Sequence, residues 1–106
     1  MTKDPLGLLG LAAKAGAVKS GGFLTEKAIK EGEAFVVIVA QDASDGTKKK
    51  LRDKCKFYQV PCYEYGTMDE LGHRVGREAR SSLAITDEGF AKQTEKRFGM
   101  EIQEVD

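Results

Sequence analysis

Two short stretches of this chain hold residues whose types and spacing can do chemistry. The first is Lys19, Ser20, Gly21, Gly22, Phe23 and Leu24, with Lys27 one helical turn further on. Lysine, a hydroxyl and paired glycines ahead of a helix make an anion-binding turn. The first amides of a helix lack intrahelical partners, the helix dipole favours negative charge beside them, and glycine lets a phosphate approach the backbone. The residue order excludes a Walker-type nucleotide loop, which needs glycine directly before the lysine and again five residues earlier. Val18 and Ala13 stand at those positions. The plain structural alternative is a tight turn in which Ser20 or Gly22 only caps the helix. The second stretch, residues 76–82, reads GREARSS. Arg77 and Arg80 can bind phosphate or stack on a base, and Glu78 can accept from a base amino group. Its alternative is a solvated loop with a weak Glu–Arg pair.

The elements that must position these residues follow from periodicity. Asp4 and Pro5 suit the start of a first helix, apolar on most sides and so buried, that Gly16 ends. A second helix spans about residues 22–31 and stops at Gly32. Thr25, Ala28, Ile29 and Gly32 share its inner face. At about 100° per residue, Phe23 and Lys27 point almost opposite that face, with Leu24 between. An aromatic ring beside a lysine and a glycine turn suits RNA, because bases stack on aromatics while lysine meets phosphate. Alternatively, Phe23 folds back as a hydrophobic staple. Residues 34–40, AFVVIVA, form a strand buried on both faces. A loop follows, then a basic helix over residues 47–58 with Leu51, Cys55 and Tyr58 as its apolar stripe. Pro61 precedes a short strand at 62–65. Thr67 and Glu70 match a capping box, opening a helix that ends near Gly76. Residues 81–86 form a strand, and Asp87 caps a last helix to about Phe98, with Gly99 as its stop. The alternation αβαβαβαβα implies an α/β fold, a three-layer α/β/α sandwich with a mixed sheet of about four strands. A single domain over residues 1–99 and a polar C-terminal tail over 100–106 are expected.

The 106 residues carry zero net charge, unevenly distributed. Lys48, Lys49, Lys50, Arg52, Lys54 and Lys56 crowd one segment, opposed there by Asp53, while the tail is acidic. Lys48, Lys49 and Arg52 can extend a phosphate-binding face. Cys55 and Cys62 lack the spacing of a metal pair and read as reduced thiols of a cytoplasmic protein. No leader or membrane-spanning run is recognisable. His73, the one histidine, reads as a surface residue, and no nucleophile, base or metal set emerges, so neither an enzyme nor a cofactor is expected.

The segments SGGFLTEKAIKEG, AFVVIVAQDAS and VPCYEYGTMDELGHRVGREARSSLAIT together resemble the kink-turn-binding ribosomal proteins L-seven-Ae and L-thirty-e. They are most similar to bacterial members often encoded among translation-factor genes. The resemblance spans residues 6–98. It implies a three-layer fold, binding of structured RNA (kink-turn-like or ribosomal), and ribosomal or translation-factor protein partners. By position it assigns Gly21 and Lys27 to the kink and Arg77, Glu78 and Ala79 to bulged nucleotides, with Arg77 departing from the family's apolar loop. The larger departure is Phe23-Leu24, where the family typically places a polar Asn-Glu pair that reads paired purines. Lys19, Gly21, Gly22, Phe23, Leu24 and Lys27 are the expected first half of an RNA surface, and Arg77, Glu78, Ala79 and Arg80 the second. The alternative is a protein-interaction module on the same fold, using Phe23 and Leu24 as an apolar tip.

Overall fold

Residues Val36–Val39 and Ser82–Ile85 bury every side chain. Strand side chains alternate between the faces of a sheet, so both faces here are covered. The structure, a computed structural model, describes residues 4–105, with side chains as far as Gly99. Its elements are α1 (Leu9–Lys14), β1 (Val18–Ser20), α2 (Gly22–Lys30), β2 (Val36–Val39), α3 (Asp45–Tyr58), β3 (Cys62–Glu64), α4 (Met68–Arg74), β4 (Ser82–Ile85) and α5 (Glu88–Val105). The sheet is mixed, in the order β1-β4-β2-β3, with β2 and β3 parallel and the other pairs antiparallel. Both the alternating order and the four-stranded mixed sheet match the expectation from sequence.

Neighbouring residues of β3 show which helix covers which face. The Cys62 thiol meets that of Cys55 on α3, whereas Tyr63 stacks on Phe98 of α5 with ring centroids 4.1 Å apart. Through the register, Cys62 opposite Val37 and Ser82 opposite Val39, Ser82 lies on the Cys62 face. Its hydroxyl donates to Thr25 of α2 at 3.1 Å, and both residues are fully buried. So α2 and α3 share one face, and α5 covers the other. Arg74 of α4 and Arg97 of α5 both converge on Asp4, the former on its carboxylate and the latter on its carbonyl. Among the described residues, no helix is long and apolar enough to cross a membrane.

Tyr63 donates its hydroxyl to Glu95 at 2.9 Å. Burial first, and then the Glu95 carboxylate, push the phenol up to about 12. The folded protein therefore keeps this proton after the unfolded chain has lost it. The associated stability is complete below pH 10 and declines as pH rises toward 12. Ultraviolet titration is expected to show one tyrosine ionising near pH 12 rather than near 10, and Glu95→Gln to bring it down.

Three expectations need correction. Residues 5–8 are tight turns rather than helix: Gly7 N–H donates to the Asp4 carbonyl at 3.0 Å and Leu9 N–H to the Leu6 carbonyl at 3.2 Å. Asp4 does accept an amide, that of Leu6 at 3.0 Å, but its ion pair with Arg74 ties it to α4 instead of to a helix axis. Burial raises the Asp4 carboxyl, and the Leu6 amide and Arg74 outweigh it, leaving the group below the usual range. Leu11, on the outer side of α1, is 60% exposed. The basic helix begins at Asp45, capped by the Ser44 hydroxyl, which accepts from Thr47 N–H at 3.1 Å. Its stripe at Leu51 and Cys55 is buried, but Tyr58 is 43% exposed. Finally, Gly99 does not end α5, which runs on to Val105. Gly99 lacks the positive φ of Gly16, Gly32 and Gly76, which do close their helices, and its cost to a helix is only about 1 kcal/mol.

Candidate functional site

Gly21 is the N-cap of α2, at φ 95° and ψ 155°, a region of backbone space essentially reserved for glycine. Its N–H donates to the Ser82 carbonyl at 2.8 Å, and its carbonyl accepts from Thr25 N–H at 2.9 Å. The end of β1, the start of α2 and the start of β4 are thereby joined at one point. No side chain caps α2, and its first turn holds no acidic residue. Neither Ser20 nor Gly22 is the cap, and the first-turn amides of Gly22, Phe23 and Leu24 are left for an anion or water.

The loop at residues 76–81 reaches this point because α4 holds it by its main chain. Arg77 N–H donates to the Gly72 carbonyl at 2.8 Å and Arg80 N–H to the Met68 carbonyl at 3.0 Å. A Cβ at position 72 would fall on the Glu78 carbonyl. Glycine there lets the loop lie against the helix. As a result Ala79, Arg80 and Ser81 line one shallow groove with Gly21, Gly22, Phe23 and Leu24. Arg80 Nε approaches the Ser20 hydroxyl at 3.4 Å, and Arg80 Nη1 donates to the Ala79 carbonyl at 3.1 Å. These contacts hold the guanidinium beside the open end of α2.

The structure therefore brings together Gly21, Gly22, Phe23, Leu24, Ala79 and Arg80. Arg77 and Glu78 are exposed on the same loop. Phe23 is 78% exposed and Leu24 43%, so Phe23 is no staple. Lys27 flanks Phe23 along a neighbouring groove that also contains Glu26 and Lys30. Lys19 is exposed on the edge strand β1.

The cations of α3 divide in a way the sequence reading did not resolve. Lys48 and Arg52 turn to Glu64 of β3, at 3.8 and 2.5 Å, the opposite sheet edge from β1. Lys49 pairs with Asp53 at 2.8 Å. None of these three lines the groove at Phe23. Lys50 does, together with Thr47 and Ser81. Its signal was present in the sequence as helical spacing: Lys50 and Lys54 lie at i and i+4, on a different face from Lys48 and Arg52.

Glu26 organises this corner. Lys50, Lys54 and Lys30 converge on its carboxylate at 3.2, 3.5 and 3.6 Å. The Lys50 hydrogen bond is the chief cause holding the Glu26 carboxyl below its usual range. One carboxylate among three lysines leaves the corner positive. Among the described residues, no group of three His, Cys, Asp or Glu is placed to hold a metal ion.

Fold and site together define a small α/β/α domain that presents a glycine-opened helix end, a protruding aromatic and an arginine loop on one cationic face. The chain belongs to the Ribosomal protein L7Ae/L30e/S12e/Gadd45 family, whose model it matches over residues 5–95. It is 45% identical over 84 residues to the RNA-binding protein YlxQ of Bacillus subtilis (strain 168), covering 79% of this chain and 84% of that one. It is 32% identical over 81 residues to the large ribosomal subunit protein eL30 of Aeropyrum pernix, covering 74% and 81%. Its fold superposes with a TM-score of 0.85 on the solved structure of a protein with unknown function from Bacillus halodurans C, at 36% identity over 91% of this chain and 97% of that one.

Proposed function

We propose that this protein binds structured RNA, kink-turn-like or ribosomal, as a non-catalytic, cytoplasmic component associated with translation or the ribosome. The observation that carries the reading is the meeting of the α2 start with the 76–81 loop, which puts Phe23 and Arg80 beside one groove. The reading is supported by the family and by relatives named as an RNA-binding and a ribosomal protein. Gly21 and Gly22 bring phosphate to backbone amides, while Lys27, Arg80 and Arg77 neutralise it. Phe23 stacks on a base, and Ala79 leaves room above the groove for bulged nucleotides. Glu78 accepts from a base amino group. Lys19, exposed on β1, adds a further phosphate contact at the edge of the site, while Lys48, Lys49 and Arg52 act on flanking phosphates, since each already has a carboxylate partner. Phe23 and Leu24 have no groups for reading base edges, so recognition is led by shape, stacking and phosphate.

Calorimetric titration of a kink-turn RNA and a matched plain duplex across a salt series tests this. The kink-turn should bind more tightly. Lys27→Ala and Arg77→Ala should each weaken binding and lower the salt slope by about one. Unchanged affinity across the series would remove both residues from the site. The exposed apolar pair Phe23-Leu24 favours a second reading, a protein-interaction module. Its binding would hardly respond to salt, whereas RNA binding weakens steeply.

A further inference from the structure

Beyond the groove at Phe23, the solvent side of α3 carries two aromatic residues, Phe57 and Tyr58, that the site above does not use. Lys50, Asp53, Lys54 and Phe57 fall at i, i+3, i+4 and i+7, one stripe of the helix. With Tyr58 they line an open depression of about 450 Å³. Phe57 is 79% exposed, and its ring meets that of Tyr58 edge-on with centroids 5.0 Å apart. Phe57 stands largely in water at the end of the helix, and Tyr58 beside it is 43% exposed. Asp53 also lines the depression, but its carboxylate is held by Lys49 at 2.8 Å. Lys50 lines both this depression and the groove beside Gly22 and Phe23, so the two lie side by side across one side chain.

We propose that Lys50, Lys54, Phe57 and Tyr58 form a stacking platform for an unpaired RNA strand that leaves the groove at Phe23. This rests on the RNA-binding reading above and extends its footprint along α3. Charge chooses the occupant. Three lysines, Lys30, Lys50 and Lys54, gather on Glu26 along the path between the two aromatic sites. Phosphates of a passing strand complement that excess, whereas an apolar protein interface is depleted of lysine at its core. Protruding rings choose the strand's state. A duplex offers them only phosphate and ribose, while an unpaired base offers a face to stack on. The platform needs no sequence reading, since every base has such a face.

The test uses the full chain and three probes: a kink-turn hairpin trimmed flush, the same hairpin with a short 3′ uridine tail, and the same with a 5′ tail. Affinities are read by fluorescence anisotropy at one salt concentration. For the unmodified protein, one tail should tighten binding at least about fivefold over the flush hairpin, the lower end of base–aromatic stacking. Phe57→Ala with Tyr58→Ala should abolish that gain while leaving flush-hairpin affinity within about twofold. Phe57→Ala alone, at the more exposed ring, guards against any folding effect at Tyr58 and should remove part of the gain. Phe57→Trp should keep it. If neither tail tightens binding, or if the double variant retains the gain, the platform is overturned and the face serves another partner. If the unmodified protein binds none of the three RNAs, the RNA-binding reading itself fails, an outcome distinct from equal binding to all three.

Discussion

Gly72→Ala is expected to destabilise the protein by about 1–3 kcal/mol, the range for forcing extra carbon into a packed site, and to weaken RNA binding at the same time. The added Cβ would overlap the Glu78 carbonyl and crowd the Ala79 Cα. Both are backbone atoms, so no side-chain rotation relieves the overlap. Either α4 shifts, breaking the hydrogen bonds that the Arg77 and Arg80 amides donate to the Gly72 and Met68 carbonyls, or the loop lifts away. Each route moves Arg80 off the open end of α2. Urea denaturation should show the loss, and hydrogen exchange should show the Arg77 and Arg80 amides opening ahead of the sheet. Gly46→Ala is the control. A Cβ there meets nothing within 4 Å, its φ is not positive, and it lies in α3. Alanine at that position should be neutral or stabilise by up to about 1 kcal/mol. If Gly72→Ala melts like the unmodified protein with the loop amides still protected, the loop is not held by close approach to α4.

That dependence on Gly72 shows where sequence reading stops. The start of α2 was legible because each signal was local: a glycine pair, a periodic inner face, and Phe23 and Lys27 off that face. The loop at residues 76–82 was legible as arginine-rich, but its nearness to Gly21 was not. That nearness comes from the antiparallel pairing of β1 with β4, which sets Ser20 opposite Leu83, and from the space left by a missing methyl group on α4. Neither has a sequence period. The resemblance to the L-seven-Ae and L-thirty-e proteins supplied the link that local reading could not.

The misread elements fail for related reasons. Asp4-Pro5 carries the local marks of a helix start, but Arg74 and Arg97 arrive from α4 and α5 to claim Asp4. Asp4 still accepts the Leu6 amide through one oxygen while Arg74 takes the other, but the residues that follow close into turns rather than a helix. In the basic segment, the count of cations obscured their direction. The helical wheel separates Lys48 and Arg52 from Lys50 and Lys54, and the structure pairs the first two with Glu64 and the second two with Glu26. Binding surfaces on helices are read from faces, and a tally of lysines has no face.

Phe23→Ala is expected to lower affinity for a kink-turn RNA by about tenfold or more, since base–aromatic stacking contributes roughly 1–3 kcal/mol per base. It should leave thermal stability almost untouched. The ring is 78% exposed and stands outside the buried cluster that holds Ala28 and Ile29, so truncating it empties no core. The substitution also removes no charge. The salt slope should therefore keep its value while the whole line shifts to weaker binding, whereas Lys27→Ala lowers the slope itself. The two residues thus separate stacking from counterion release within one site. Phe23→Tyr preserves the ring and should restore most of the affinity. Had Phe23 instead been a packing residue, alanine would depress the melting temperature and leave RNA affinity in place. Phe23 and Leu24 offer a ring and an alkyl surface, and neither side chain carries a hydrogen-bonding group. On the RNA-binding reading proposed above, the expected discrimination is between RNAs that can present an unpaired base between the α2 start and Arg80 and those that cannot.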